Sequence, residues 1–166
     1  TADGWRVDPD NSEIAFSGKH AGKTFRGHFR RWRADLQLKP DDPTASLIGA
    51  TIYTGSATDG VRLHDKTLPE GEWFDVANHP TASFQNTAIT RTGDNRFRIA
   101  GVLEIKNRGI EVPNLVLTLQ PHQATIRGQL VIDRADADLG MESDPRGEWV
   151  SRQIEVDVNV TAVPRQ

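Results

Sequence analysis

Hydrophobic and polar positions alternate with a period of two along much of the chain. The clearest run lies near its C-terminal end, where the even positions from 154 to 162 are apolar and the odd positions from 155 to 161 are polar. Successive side chains of a β-strand point to opposite faces, so this pattern predicts a strand with one dry face and one solvated face.

The same period recurs in segments 97–105, 115–119 and 124–132, and at the apolar pairs and triplets that begin at Ile14, Phe25, Leu36 and Ile48, with a less regular run over 84–91. Counting 24–38 as one long bent strand gives about eight strands, the number at which a closed sheet holds side chains or one ligand. Short turns rich in Gly, Asn and Asp join them and leave no room for crossover helices. We therefore predict an all-β fold, one antiparallel barrel of about eight strands.

Two long segments, 59–78 and 136–152, interrupt this pattern. The first has room for one or two short helices, and Pro80 is predicted to end a helix near His79 and start an extended segment at Thr81. Loops of this length in a compact β domain are functional or lid-like, or they are plain surface excursions, and both interpretations stay open here.

Several motifs occur in an order that resembles one family. They are Trp-Arg-Val-Asp-Pro-Asp-Asn-Ser from Trp5, His-Ala-Gly from His20, Phe-Arg-Gly-His-Phe from Phe25, Trp-Phe-Asp from Trp73, His-Pro-Thr-Ala-Ser-Phe from His79, Gly-Val-Leu-Glu-Ile from Gly101, and 128–134 with Leu-Gly-Met from Leu139. Over nearly its whole length the chain resembles the YceI-like family of lipocalin-like lipid-binding proteins. The resemblance implies an extended eight-stranded antiparallel lipocalin-like barrel with a short helical insertion, enclosing an apolar tunnel for an isoprenoid or long acyl chain.

One segment departs from the family pattern. Residues 61–68 lack the Asp-x-His-Leu helix common in relatives and carry Leu63-His64-Asp65-Lys66 instead, so the tunnel mouth and the head group it accepts are expected to differ. Segment 141–151 resembles a subgroup associated with cytochrome b561 membrane proteins, which implies quinones as ligands and such a protein as partner. Most bacterial members are exported, so we expect a periplasmic mature form, in agreement with the lack of a signal peptide before Thr1.

The composition of the chain excludes several classes of function. The 166 residues fit a single domain over 1–166, with segment 40–43 as a turn and not a linker. The absence of cysteine excludes disulfides and thiolate metal sites, and 20 basic against 23 acidic residues give no general attraction to nucleic acid. The five histidines lack metal-ligand or catalytic spacing, so we expect no catalytic residue, no metal and no required cofactor apart from the bound lipid or quinone.

The candidate ligand-binding residues are inward apolar strand positions, aromatic residues, His20 and residues of the two long loops. They are Phe16, His20, Phe25, Phe29, Ile48, Ile52, Trp73, Phe74, Phe84, Phe97, Ile99, Leu117, Met141 and Trp149. His20 either faces a head group at the mouth or is a structural histidine bonded to a backbone carbonyl, and most of the aromatic residues also suit an ordinary core.

Glycines recur on the apolar strand faces, at Gly18, Gly27, Gly49, Gly101 and Gly128. They remove side-chain volume or permit sharp bends, and both suit a barrel that holds a ligand. We expect Phe at Ala50 or Gly101 to fill the lumen.

The leading hypothesis is a carrier or sensor that shields an isoprenoid lipid, either a quinone or a polyprenyl compound, from water. The alternatives are an enzyme acting on a lipid or redox ligand, and an interaction module with a filled interior. The oligomeric state stays open between monomer and homodimer.

Overall fold

The computed structural model describes residues 4–39 and 41–164. The predicted turn at 40–43 begins at Pro40, which lies outside these residues. In chain order the strands are β1 (Gly4–Val7), β2 (Glu13–His20), β3 (Lys23–Phe29), β4 (Trp32–Gln37), β5 (Leu47–Tyr53), β6 (Ala57–Thr58), β7 (Thr81–Arg91), β8 (Arg96–Ile105), β9 (Arg108–Leu119), β10 (Ala124–Asp133) and β11 (Gln153–Pro164). The α-helices are α1 (Arg62–Thr67) and α2 (Arg134–Ala137), and short 3-10 helices lie at Pro9–Asn11, Pro43–Ala45 and Thr54–Ser56.

The strands form one closed antiparallel barrel. Its ring runs β1-β4-β5-β7-β8-β9-β10-β11, and β11 pairs with β1 to complete it. Strand β11 pairs with β2 over 155–159 and with β1 over 162–164, so β1 and β2 follow one another along the same edge. Strands β3 and β4 are the predicted long bent strand, interrupted at Arg30 and Arg31. The predicted eight-stranded barrel is therefore confirmed.

Two β-bulges explain where the alternation of the sequence breaks. In β7, Thr87 is an extra residue between the pairs that Asn86 and Ala88 make with β8. In β9, Pro113 and Asn114 stand opposite the single residue Ala100 of β8. A bulge shifts the inward face by one position, so Val112 and Leu115 are both buried although they are three residues apart. The bulge hides the first half of β9 from the alternation pattern. Strand β9 starts at Arg108, well before the segment 115–119 that alternation alone predicts.

The insertion between β6 and β7 holds one short helix, α1, as predicted, but this helix does not extend to Pro80. The prediction that Pro80 ends a helix near His79 is wrong, because α1 ends at Thr67 and consecutive turns follow it. Pro69 and Gly71 account for this early end, since proline and glycine disfavour a helix interior. Strand β7 does begin at Thr81, directly after Pro80, as predicted.

The two ends of the barrel differ. One end is sealed by tightly packed side chains, all of them buried: Trp5, Leu38, Ile89, Phe97, Ile99 and Leu117. At the other end lie the β2–β3 hairpin and the two long loops, 59–80 and 134–152. No helix in the described part of the chain has the length and apolar character needed to cross a membrane.

Candidate functional site

A cavity of about 360 Å³ occupies the half of the barrel away from the sealed end. Its walls are almost entirely apolar and come from inward positions around the ring. They include Ile14, Leu36, Ile48, Ile52, Leu103, Val112, Leu115, Ile126, Leu130, Ile132, Val156, Val158 and Val160. This volume lies within the range of small-molecule sites, and apolar walls favour a ligand whose own surface is apolar.

Aromatic rings form a connected cluster on one wall. The ring of Phe16 lies 5.3 Å from that of Phe29 and 6.4 Å from that of Phe25, measured between centroids. The ring of Phe29 in turn lies 5.9 Å from Phe74 of the insertion. These tilted and edge-to-face pairs are the favourable arrangements for aromatic side chains. The cluster joins the strand wall to the loop that covers the mouth.

Three of the strand glycines, Gly18, Gly27 and Gly101, accommodate aromatic rings and do not leave empty volume. A Cβ on Gly27 would lie 2.5 Å from the Phe16 ring, and one on Gly101 would lie 2.5 Å from the Phe84 ring. Gly18 likewise accommodates the ring of Phe25 at 2.9 Å. The expectation that Phe at Gly101 fills the lumen is therefore wrong, because the new ring would collide first with Phe84 and the β7 backbone. The same expectation stands for Ala50, which lines the cavity.

The loop 134–152 is organised around Arg134, a guanidinium that is 0% exposed. It donates to the carbonyls of Leu139 and Val150 at 2.8 and 2.7 Å and reaches the carboxylate of Asp144 at 3.3 Å. It also lies 5.5 Å above the ring of Trp73 in the other loop. The two loops are thus held together by a cation on one and an aromatic face on the other.

Further bonds tie these loops to each other. The Gly140 amide donates to the Glu72 carbonyl at 2.7 Å, and the Ser143 hydroxyl donates to the Glu72 carboxylate. Gly140 has a φ of +67°, and a Cβ there would come within 2.6 Å of Trp73. A side chain at this position would be strained and would displace the Trp73 ring. The cover is therefore a packed structure.

Two carboxylates in this region are stabilised in their charged form. Burial opposes the ionisation of Asp144, but amide donors from Val150, Glu148 and Trp149, together with Arg134, outweigh it and hold its pKa below the ordinary value. The hydrogen bond from Arg152 holds the pKa of Asp133 below its ordinary value as well, with help from the Ala135 amide. Burial lowers the pKa of Arg134, and Asp144 opposes this shift.

A polar cluster interrupts the apolar wall at the mouth. The His64 Nδ1 atom lies 2.6 Å from the Oδ2 atom of Asp59, and the His64 ring packs edge-to-face against the His20 ring with centroids 4.9 Å apart. All three residues line the cavity. A ligand whose tail fills the barrel would find hydrogen-bonding groups at this end.

The YceI-like domain profile matches residues 5–162. The chain belongs to the YceI-like family. It is 28% identical over 104 residues to a UPF0312 protein of Azotobacter vinelandii, covering 62% of this chain and 53% of that protein. It is 27% identical over 117 residues to a UPF0312 protein of Pseudomonas savastanoi, covering 70% and 57%. The match thus spans little more than half the length of these curated relatives.

Solved structures share the barrel. BcnA of Burkholderia cenocepacia aligns with a TM-score of 0.84 at 23% identity, covering 95% of this chain and 99% of that one. A polyisoprenoid binding domain from Saccharophagus degradans aligns with a TM-score of 0.75 at 13% identity, covering 97% and 98%. At these identities the likeness shows the fold alone.

In this YceI-like barrel, most of the candidate ligand-binding residues line the cavity. They are Phe16, His20, Phe25, Phe29, Ile48, Ile52, Trp73, Phe74 and Phe84. The others do not lie among the lining residues. Phe97, Ile99 and Leu117 are packed in the sealed end, while Met141 and Trp149 belong to the covering loop, with Trp149 64% exposed. For His20, the structure gives a place at the mouth and no hydrogen bond from its ring to a backbone carbonyl among the described residues.

Three polar residues at the mouth, Asp59, His64 and Arg134, were missed as site candidates from the sequence. The departure from the family pattern at 61–68 was the signal for His64. For Arg134, the signal was a cation directly after the apolar face of a strand, followed by a loop whose carbonyls need donors. Asp59 carried no separate signal, since an aspartate before glycine is typical of a turn.

Proposed function

We propose that this protein binds an isoprenoid lipid, with the tail in the barrel cavity and the polar end at the mouth, and shields it from water. The observation that carries the proposal is the cavity of about 360 Å³ in the barrel, with almost entirely apolar walls. Family membership and the related polyisoprenoid binding domain support a lipid-binding barrel as the general class. A filled interaction module is disfavoured, because the barrel interior contains this cavity.

The tail accounts for most of the expected affinity. Burying a methylene contributes about 0.8 kcal/mol, so one isoprene unit of about five carbons contributes about 4 kcal/mol before ordering costs are subtracted. The connected rings of Phe16, Phe29 and Phe74 present flat apolar surfaces that suit the unsaturated units of such a chain. No chemical step is needed for this function.

Among isoprenoid lipids we propose a prenylated quinone or a polyprenyl compound as the ligand. The quinone assignment rests on the resemblance of segment 141–151 to chains associated with cytochrome b561 proteins. On the same basis we propose a periplasmic location and delivery of the lipid to a membrane partner of that type. These assignments extend beyond the lipid-binding class that the family supports.

Solvent extraction of the purified protein, followed by mass spectrometry, tests the proposal. We expect one isoprenoid per chain after expression in a lipid-replete host, and none from the same protein extracted after denaturation and delipidation. Adding back a prenylated quinone should then quench tryptophan fluorescence, because Trp73 lines the cavity. Empty extracts together with unchanged fluorescence on addition of the quinone would contradict the carrier function.

The same samples address a second candidate, an enzyme acting on a lipid, which the Asp59–His64 pair at the cavity wall favours. A carrier returns the added quinone with its mass unchanged after prolonged incubation. Conversion of the quinone by the protein, and not by buffer or by a His64→Phe variant, would establish catalysis in place of carriage.

A further inference from the structure

The Asp59 carboxylate is buried at the mouth, with its side chain only 4% exposed. Its Oδ1 atom accepts from the Val61 amide at 2.9 Å and its Oδ2 atom contacts His64 Nδ1 at 2.6 Å. Asp65 stabilises this turn, since its carboxylate accepts hydrogen bonds from the Thr58 hydroxyl at 2.7 Å and from the Asp59 amide at 3.3 Å. The position of the carboxylate relative to the imidazole is therefore set by several bonds, all made between residues 58 and 65.

This arrangement determines which hydrogen-bonding role His64 offers. A carboxylate only accepts hydrogen bonds, so the proton in the Asp59–His64 contact belongs to Nδ1 of the imidazole. In the neutral ring the other nitrogen, Nε2, is then an acceptor, because the tautomer is fixed by the partner of Nδ1. A neutral His64 thus presents an acceptor at Nε2, and a partner that carries a donor is the complementary one.

The surroundings of His64 make this acceptor selective. His64 lines the cavity next to Leu63 and Leu68, and the opposing strand walls are apolar. The neighbouring His20 ring lies edge-to-face against it and makes no side-chain hydrogen bond with the described residues. A lipid seated in the barrel therefore meets polar ring atoms at this end, while the apolar strand walls discriminate between ligands by shape.

We propose that Nε2 of His64 accepts a hydrogen bond from a hydroxyl at the polar end of the bound lipid, so that the barrel selects hydroxyl-bearing isoprenoids, prenyl alcohols or quinols, over those whose head oxygens only accept. This inference rests on the proposed function and specifies the head-group chemistry of the same site. Asp59 is a positioning residue in this scheme, because it acts by fixing the tautomer of His64.

The test uses three ligands with one tail: an all-trans C20 prenyl alcohol, its methyl ether and the parent hydrocarbon. Dissociation constants are measured from tryptophan fluorescence in neutral buffer with the delipidated protein. We expect the alcohol to bind about tenfold more tightly than the ether, the ratio that one hydrogen bond of about 1.4 kcal/mol provides. The ether and the hydrocarbon should bind equally within about twofold.

Two variants test whether the preference for the alcohol over the ether comes from His64. His64→Phe should bring the alcohol-to-ether ratio to about one, because phenylalanine carries no hydrogen-bond acceptor. Asp59→Asn should reduce the same ratio, because an amide can also donate to Nδ1 and so move the ring proton to Nε2. The control is His122→Phe, the same change at an exposed histidine in the β9–β10 turn, outside the cavity. Melting temperature and the far-ultraviolet circular dichroism spectrum verify that each variant is folded. The alcohol-to-ether ratio is taken within each variant, so a general change in affinity for the shared tail does not alter it.

The outcomes separate this inference from the proposed function. If none of the three ligands binds the wild-type protein, the lipid-binding function itself fails. If all three bind equally, the cavity binds lipid but the head-group assignment is wrong. A tenfold preference that survives His64→Phe would overturn the assignment to His64 and leave the shape of the mouth as its cause.

Discussion

The guanidinium of Arg134 contacts the carboxylate of Asp144 at 3.3 Å, and both residues are buried. They lie ten positions apart in the sequence, and the loop between them folds back so that Arg134 also donates to the Leu139 carbonyl. Asp144 in turn accepts from the amides of residues 148 to 150. One buried ion pair thus organises the cover of the cavity mouth. The other hydrogen bonds of Arg134 and Asp144 go to backbone groups of the loop.

Arg134→Met should destabilise the protein by about 3–5 kcal/mol, the cost of leaving a buried charge without its partner. The loss includes the carbonyls of the loop 134–152, which would stay buried without donors. Urea denaturation monitored by far-ultraviolet circular dichroism measures the free energy of unfolding. Limited proteolysis should show cleavage within 134–152 in the variant before the barrel strands are cut.

Arg152→Met is the matched control, since Arg152 pairs with Asp133 at 2.9 Å while both side chains remain substantially solvated. Exposed pairs contribute about 0–1 kcal/mol, so this variant should unfold close to the wild type. Equal losses in the two variants would contradict the assignment of the loop's stability to Arg134.

Acid should weaken the same loop through Asp144 and Asp133. Both have a folded-state pKa below the ordinary value of 3.8, so their contribution to stability is fully present above that value. It is lost as the pH falls below about 4 and through the folded-state pKa, because the unfolded chain binds the protons first. The free energy of unfolding should therefore be flat from neutral pH to about pH 5 and then fall.

Asp144→Asn separates this effect from general acid denaturation. The variant should be less stable at neutral pH, and its acid limb should be shallower than that of the wild type, since one titrating group is removed. An unchanged slope between pH 5 and pH 3 would mean that Asp144 does not contribute to the acid sensitivity.

Alternation in the sequence was sufficient for the barrel because a closed antiparallel sheet needs a dry face on every strand. It could not locate the bulges at Thr87 and Pro113, since one inserted residue reverses the inward face of everything that follows. The alternation pattern also could not distinguish residues that line the cavity from residues packed in the core. Ile52 and Ile99 occupy equivalent inward positions in the pattern, yet one lines the cavity and the other is packed in the sealed end. That difference depends on which side chains meet across the barrel.

The mouth was harder to predict for a different reason. The contact between Asp59 and His64 requires the turn at 59–61 to place a carboxylate beside the first turn of α1, and this local geometry has no periodic signature. The glycines show a similar limit. A glycine on an apolar strand face, such as Gly101, indicates that another group packs closely against the backbone. Only the fold shows that this group is the Phe84 ring.

Ala50→Phe should reduce lipid retention with little loss of stability, because Ala50 lines the cavity and the new ring can enter open volume. Gly101→Phe should instead lower the melting temperature strongly, since overpacking a filled site costs about 1–3 kcal/mol or more and the Phe84 ring blocks this one. Val131→Phe, on the exposed face of β10, controls for the added ring itself. Lipid per chain from extraction and melting temperature, measured on the same preparations, distinguish these effects. Full lipid loading in Ala50→Phe, combined with a large fall in its melting temperature, would show that this wall is packed core and that the ligand lies elsewhere.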